Sequence, residues 1–194
     1  MTEDQETDEV VRDSQWAQYQ SWLRLQAKLQ IDTHLRGKFD ESDIAQQTMV
    51  EAWRSQSNFR GTNERQRLAW LKQVLAGVLG HELRRYRGTQ KRDISLERSM
   101  ERSMGDSSEI MGKLLPNHVA SPSEIAQQRE AEVILAELLE KLPDDYREVI
   151  VLRNLQEMSH EQVADRMGRS VSAARMLWIR ALRALKDVSQ PLSE

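Results

Sequence analysis

The sequence SHEQVADRMGRSVSAARMLWIRALRAL, residues 159–185, carries the clearest structural signal in the chain. Apolar residues recur at helical spacing on both sides of a short break that begins at Gly168. Glycine permits the left-handed backbone of a tight turn, and the small side chain of Ala164 allows two helices to approach closely. The stretch therefore predicts a helix-turn-helix.

The second half of this motif sorts its residues into an inner and an outer side. Apolar anchors from Val171 to Leu182 recur on the inner side. An arginine-rich outer side can enter a DNA major groove and bind phosphates, and Arg175 is our candidate for reading a base edge. The predicted duplex contacts, with the turn before the helix, are Arg169, Ser170, Ser172, Ala173, Arg175, Met176 and Arg180, with Arg183 as an alternative to Arg180.

The composition favours an all-α protein. Charged residues make up 30% and aromatic residues 5% of the 194 residues, and the chain has only 8 glycines and 4 prolines. A chain of this length forms one ordinary domain or two small ones. We predict two small helical domains joined by a flexible linker, with the helix-turn-helix in the C-terminal domain.

Changes in periodicity give the domain boundaries. Residues 1–13 form an acidic tail, and apolar residues at helical spacing predict a helical domain over residues 14–92. Periodicity weakens over residues 93–123, where Ser, Met, Gly and Pro accumulate, and we assign this segment to the linker. Four further helices fill the second domain, residues 124–188. Two tryptophans of the first domain, Trp22 and Trp53, are assigned to the core. Trp70 follows the apolar stripe of the long helix and is also assigned to the core, with a base-stacking platform as the alternative.

The net charge of −3 hides a strong segregation of charge along the chain. Residues 54–92 contain ten Lys or Arg against two Glu, a local net charge of +8. Residues 166–186 contain six basic residues and no acid, whereas residues 1–13 carry a net charge of −5. Two basic blocks far apart in sequence suggest two surfaces that face phosphates.

The first basic block also contains aromatic residues. Phe59 lies in a loop and Tyr86 lies near the end of a long predicted helix, both beside arginines. Aromatic rings next to arginines can stack unpaired bases, which is how proteins grip single strands. Phe59 and Tyr86 are therefore candidates for contact with single-stranded DNA.

Two regions of the chain resemble the extracytoplasmic-function (ECF) group of sigma-70-like sigma factors. DESDIAQQTMVEAWRSQSNFRG (40–61) and AWLKQVLAGVLGHELRRYR (69–87) are similar to the second conserved region of that family. LEKLPDDYREVIVLRNLQEMSHEQVADRMGRSVSAARMLWIRALRAL (139–185) resembles its fourth region. The resemblance covers about residues 15–92 and 125–187, with the two regions in the family's order.

This resemblance implies two modules with different partners. The first module, residues 14–92, would bind core RNA polymerase and melt the minus-10 promoter element, and the second, residues 124–188, would read the minus-35 element as duplex. By position, Asp43, Gln46 and Gln47 would face polymerase. The implied minus-10 contacts are Phe59, Arg60, Arg84, Arg85, Tyr86, Arg87, Lys91 and Arg92.

Several residues depart from the family's pattern. Gln47 stands where Glu is usual, and Gly77 and His81 stand where Asn and Asp are frequent. In the predicted recognition helix, Ala173, Met176 and Leu177 occupy positions often held by Thr, Ser and Arg. A promoter sequence therefore cannot be transferred from the family to this protein.

The residue pattern argues against other classes of protein. No catalytic nucleophile, phosphate-binding loop or metal-ligand cluster stands out, so we expect neither an enzyme, nor a metal site, nor a cofactor. No stretch of about 18 apolar residues is present, which predicts a cytoplasmic protein without membrane insertion. The competing interpretation is a one-component regulator that binds an operator as a dimer. An anti-sigma protein is a further partner that the resemblance raises.

Overall fold

The computed structural model describes residue 16 and residues 19–31, 39–87 and 124–189. These residues form only helices, turns and connecting segments, which confirms the all-α prediction for the described chain. The predicted acidic tail (1–13) and linker (93–123) lie outside the described residues. The helices are α1 (19–31), α2 (Glu41–Arg54), α3 (Glu64–Arg87), α4 (Glu124–Glu140), α5 (Asp144–Ile150), α6 (His160–Arg166) and α7 (Val171–Ser189).

Local capping groups set where α2 and α3 begin. Asp40 precedes α2, and its carboxylate accepts a hydrogen bond from the backbone N–H of Ser42 at 2.7 Å. Asn63 precedes α3, and its side-chain oxygen accepts from the backbone N–H of Gln66 at 3.0 Å. Such bonds satisfy N–H groups that have no partner inside the helix. Each start therefore follows from the residue type that precedes the helix.

The first three helices pack around large apolar side chains of α1 and α3. Trp22 and Leu23 of α1 and Leu71 and Leu75 of α3 are fully buried. The buried face of α2 consists of Ile44, Ala45, Thr48 and Ala52, which lets α2 lie close against α3. The burial of Trp22 confirms its prediction as a core residue.

Trp53 of α2 was predicted to be a core residue, and this is wrong. Its side chain is 68% exposed, although the adjacent Ala52 is completely buried. Successive helical residues point about 100° apart, so only one of these two neighbours can face α3. The close approach of α2 to α3 leaves room for alanine and excludes the indole. Trp70, the third predicted core tryptophan, is half-buried and packs against the core.

One arginine of α5 binds the end of α4. The guanidinium of Arg147 in α5 donates hydrogen bonds to the backbone oxygens of Leu139, Glu140 and Leu142, at 3.0–3.3 Å. These oxygens belong to the end of α4 and the turn after it, where carbonyl groups lack the regular i+4 N–H partner of a helix. Arg147 therefore fixes the turn that leads through Pro143 into α5.

A wider helical turn follows α5 directly. Residues Val151–Leu155 form a π-helix that continues α5 without a break. Val149, Ile150, Val151 and Leu152 are all completely buried, and a regular α-helix with one solvent-facing side would not bury four consecutive side chains. The helix-turn-helix packs against this buried segment.

The helices fall into two groups, α1–α3 and α4–α7, and these two groups contact each other through buried polar atoms. Glu132 of α4 is 2% exposed, and its carboxylate accepts a hydrogen bond from the indole Nε1 of Trp22 at 3.2 Å. The Lys72 ammonium lies 3.6 Å from the same carboxylate oxygen and 5.7 Å from the centre of the Trp22 ring. Two further ion pairs, Arg24–Glu140 at 2.9 Å and Lys28–Glu148 at 2.6 Å, border this contact.

The buried residues of the two groups form one continuous hydrophobic cluster. The described helices contact each other across the predicted domain boundary through α1, α3 and α4. The division into two domains joined by a linker stays a prediction, because residues 93–123 lie outside the described residues. Among the described residues, no helix is both long enough and apolar enough to span a membrane.

Candidate nucleic-acid interface

The helix-turn-helix is assembled from α6, a turn and α7. The Ser159 hydroxyl accepts from the backbone N–H of Gln162, and the Gln162 side chain accepts from the backbone N–H of Ser159, so a reciprocal cap begins α6. Gly168 has a φ of 62°, the left-handed conformation predicted for the turn. Ala164 is 3% exposed, as expected for a residue at the close contact between the two helices.

Helix α7 presents one side to the core and the opposite side to solvent. Ala174, Ala181 and Leu185 are buried, and Val171, Leu177 and Leu182 are half-buried against the core. The predicted anchors are thus on the inner side, as expected. Every predicted duplex-contact residue of the turn and helix is exposed: Arg169, Ser170, Ser172, Ala173, Arg175, Met176 and Arg180, together with Arg183.

Trp178 links α7 to the elements that precede it, a role that was not predicted from the sequence. Its indole Nε1 donates to the Asn154 side-chain oxygen at 2.9 Å. The ring also meets His160 edge-to-face at a centroid distance of 5.4 Å, and the Arg153 guanidinium lies 5.9 Å from its centre. Trp178 thereby connects α7 to the π-helical turn and to the start of α6.

Two arginines of the predicted interface form exposed ion pairs. Arg169 lies 2.6 Å from the Asp145 carboxylate, which ties the turn of the motif to α5. Arg175 lies 3.8 Å from the Glu161 carboxylate, and both side chains are more than half exposed. Exposed pairs of this kind contribute little free energy. Either arginine can therefore exchange its carboxylate for a DNA phosphate or base.

Histidine 160 lies beside this interface and prefers its neutral form. Loss of hydration is the largest cause that lowers the pKa of His160, and the nearby charges of Arg153 and Arg175 lower it further, against the opposing charge of Glu161. An added positive charge is disfavoured near two arginines. The imidazole therefore acts in this structure as a packing partner of Trp178.

The residues predicted to face polymerase lie on the outer side of α2. Asp43, Gln46 and Gln47 are all exposed. Two large apolar residues that were not predicted for this surface extend it by two turns: Val50 is 48% exposed and Trp53 is 68% exposed. The spacing of three and four residues puts these side chains along one side of the helix. We refer to these five residues as the α2 outer face.

A cleft of about 540 Å³ lies between α2 and α3. Gly77 contributes to it in the middle of α3, and a Cβ atom built on Gly77 would meet no other atom within 4 Å. Gln47 and Glu51 line the side formed by α2, and Trp70 and His81 line the side formed by α3. Three of the residues that depart from the family's pattern, Gln47, Gly77 and His81, thus line the same cleft.

Phe59 belongs to an aromatic cluster. Its ring lies 5.1 Å from that of Trp70, and the guanidinium of Arg67 lies 6.0 Å from its centre. Trp16 meets Trp70 edge-to-face at 6.2 Å and Tyr19 at 6.1 Å. Phe59 is consequently half-buried, so part of the ring that was predicted to stack on bases is already covered.

Tyr19 anchors this cluster to the start of α3. Its hydroxyl donates to the Glu64 carboxylate at 2.8 Å and accepts from the Arg67 guanidinium at 3.2 Å. Burial is the largest cause that raises the pKa of Tyr19, and the neighbouring Glu64 carboxylate raises it too. The phenol therefore stays neutral.

The other predicted minus-10 residues that the structure describes lie in the loop after α2 and at the end of α3. Arg60 is exposed, Arg84 is half-buried, and Arg85 is 72% exposed at its side chain. Arg85 pairs with Glu82 at 3.0 Å, and Glu82 is buried. The side chains of Tyr86 and Arg87 and all of Lys91 and Arg92 lie outside the described residues.

Residues 132–185, which include the helix-turn-helix, match the family model "Sigma-70, region 4". The RNA polymerase sigma-H factor of Pseudomonas aeruginosa is 26% identical over 154 residues, covering 79% of this chain and 75% of that protein. The ECF RNA polymerase sigma-E factors of Salmonella typhimurium and Escherichia coli are each 27% identical over 155 residues, with the same coverage.

The fold and the site define a helical protein with a helix-turn-helix of the sigma-70 type. Within that class, the relatives to which the chain is similar are RNA polymerase sigma factors, including ECF sigma-E factors.

Proposed function

We propose that this protein is an alternative sigma factor that binds core RNA polymerase and directs initiation at a subset of promoters. The observation that carries the proposal is α7, which lies in the region matched by the sigma-70 family model and has an exposed, arginine-bearing outer side. No acid occurs between residues 166 and 186. A surface of this charge favours a polyanionic partner, and a helix of this geometry fits the major groove.

The second domain reads the minus-35 element as duplex DNA. Arg180 and Arg183 contact phosphates and supply affinity that falls as salt is raised. Arg175 reads a base edge after it leaves Glu161, and Ser172 and Ala173 lie near the start of the helix, which approaches the bases most closely in such motifs. The exposure of all these side chains supports this assignment.

The first domain binds polymerase through the α2 outer face and contacts the minus-10 element near the end of α3. Exposed apolar residues such as Val50 and Trp53 are typical of the centre of a protein interface, where burial supplies most of the binding energy. Asp43 adds a charge at the edge of this surface. Arg60, Arg84 and Arg85 supply positive charge for the melted strand.

Binding both elements requires the two groups of helices to separate. The minus-35 and minus-10 elements lie about 25 base pairs apart, which is roughly 85 Å of duplex at 3.4 Å per pair. A compact chain of this length has a radius of gyration of about 16 Å and a diameter of roughly 40 Å. The contact between Trp22, Lys72 and Glu132 therefore opens when the protein engages a complete promoter.

Two other interpretations account for fewer observations. A one-component regulator would need a dimer surface or a ligand pocket in its first half, and the α2 outer face and basic α3 are better suited to polymerase and DNA. An enzyme would leave the match to the sigma-70 region 4 model unexplained. We place the proposed activity in the cytoplasm, with an anti-sigma protein as a further candidate partner.

Run-off transcription with purified bacterial core polymerase on fragmented genomic DNA tests the proposal. We expect discrete new start sites that depend on this protein. An absence of new starts, together with tight operator binding as a dimer, would favour the regulator instead.

Two substitutions test the division of labour between the domains. We expect Arg175→Ala to lower promoter-specific run-off about tenfold, within the range for loss of a base contact, while binding to core polymerase is retained. Asp43→Lys should have the opposite profile, with weakened polymerase binding and intact duplex affinity. Because both residues are exposed, equal loss of both functions in either variant would contradict the assignment.

A further inference from the structure

The outermost side of α7 carries two apolar residues that its packing does not require. Successive residues of an α-helix are rotated by about 100°, so Ser172, Met176, Ile179 and Arg183 lie in one line along α7. The buried Ala181 and its neighbours lie on the opposite side of the helix. Met176 and Ile179 therefore form an apolar pair at the centre of the solvent-facing side.

Exposure and surrounding charge distinguish this pair from ordinary surface residues. Met176 is 50% exposed and Ile179 is 37% exposed. Single exposed apolar residues are common, but this pair is flanked by Arg175 on one side and Arg180 on the other. The surface around the pair is positively charged. This charge favours binding to DNA, which is negative, over binding to an apolar protein surface that carries few acidic residues.

Base edges in the major groove offer one apolar group to such a pair. Each thymine presents its C5 methyl there, whereas the other groups on the base edges are hydrogen-bond donors and acceptors. Methionine is unbranched and adapts its shape to a small apolar group. Position 176 also lies in the second turn of α7, within the N-terminal half that reaches base edges in helix-turn-helix proteins.

We propose that Met176, with Ile179 one turn further along, contacts the C5 methyl of a thymine in the upstream promoter element. This inference rests on the proposed function and adds the chemistry by which one base is chosen. Arg175 and Arg180 lie on either side of the pair and hold the helix in the groove. Met176 distinguishes thymine, which presents a methyl group, from bases that present only hydrogen-bonding groups.

Replacing single thymines of the upstream element by deoxyuridine removes only the C5 methyl and tests this inference directly. The holoenzyme is reconstituted from the full chain and core polymerase, and its affinity is measured on a promoter obtained from the run-off experiment. We expect one or two positions at which deoxyuridine weakens binding about three- to fivefold, the value of one buried methyl group. Met176→Gln, which keeps chain length and helix propensity, should remove that difference.

Ile134→Gln is the matched control, because Ile134 is 48% exposed but lies on α4, away from the helix-turn-helix. It should leave the thymine-to-deoxyuridine ratio unchanged. A promoter without a methyl-sensitive position, or a ratio that persists in Met176→Gln, overturns the inference even when transcription starts normally. Loss of core binding in Met176→Gln with an unchanged ratio also overturns it and assigns this side of α7 to polymerase. Failure of the proposed function is recognised separately, by the absence of protein-dependent start sites.

Discussion

Gly61 and Gly77 have opposite surroundings, so substitution by alanine should change stability in opposite directions. A Cβ on Gly61 would lie 2.3 Å from Cζ of Phe59 and 2.7 Å from Cβ of Gln66, whereas a Cβ on Gly77 meets no atom within 4 Å. We expect Gly61→Ala to lower the free energy of unfolding by about 1–3 kcal/mol through overpacking. Gly77→Ala should raise it by about 0.5–1 kcal/mol, because glycine inside a helix loses more backbone entropy on folding. Urea denaturation measures both, and a shift of the same sign in the two variants would contradict this account.

His160 should make stability depend on pH in the mildly acidic range. Because the folded state lowers its pKa below the ordinary value of 6.5, protonation favours the unfolded chain. The associated stability is complete above pH 6.5 and is lost as the pH falls through the folded pKa. We expect the melting temperature to fall less between pH 7.5 and 5.5 in His160→Gln than in the natural sequence. Identical pH profiles for the two proteins would exclude this role.

At the scale of single helices, the α2 outer face should bind polymerase without stabilising the fold. Trp53 is 68% exposed, so Trp53→Ala should change the free energy of unfolding by no more than about 0.5 kcal/mol. A tryptophan buried at the centre of an interface contributes about 2 kcal/mol or more, so affinity for core polymerase should fall at least about tenfold. Surface plasmon resonance with immobilised core enzyme measures this change. Ile134→Ala, at a similarly exposed position on α4, is the control, and an equal loss in both variants would contradict the assignment.

The helices also show where periodicity is sufficient and where it fails. In α7 the inner anchors and outer polar residues were predicted correctly, because the helix is amphipathic and packs through one side only. In α2 the same reasoning misplaced Trp53, because hydrophobicity does not reveal how closely a neighbouring helix approaches. Small residues line the contact with α3, and the larger indole points to solvent. The prediction from sequence did not include Ile179, which is 37% exposed on the outer side of α7.

At the scale of the whole molecule, Glu132 should control whether the two groups of helices stay together. It accepts a hydrogen bond from Trp22 and lies next to Lys72. Glu132→Lys places a like charge beside Lys72 and leaves the indole N–H without its acceptor, which costs about 1–3 kcal/mol for the hydrogen bond alone. We expect the radius of gyration from small-angle X-ray scattering to rise above about 16 Å, the value for a compact chain of this length.

Glu137→Lys makes the same change of charge on the same helix and should leave the radius unchanged. Helical content from circular dichroism should remain near that of the natural sequence in both variants, because the helices have their own packing contacts. An unchanged radius in Glu132→Lys, or equal expansion in both variants, would contradict a role for Glu132 in closing the molecule.

The all-α class, the helix-turn-helix and the outward residues of α7 could be inferred from sequence alone, because they depend on local properties: helical spacing, the turn at Gly168 and residue charge. The exposure of Trp53, the cleft beside Gly77 and the Trp178–Asn154 hydrogen bond could not, because each depends on how closely distant elements pack. The contact between Trp22 and Glu132 joins residues 110 positions apart. Neither a tryptophan nor a glutamate in the sequence indicates which distant residue it will bind. Only the packing of α1 against α4 brings these two side chains together.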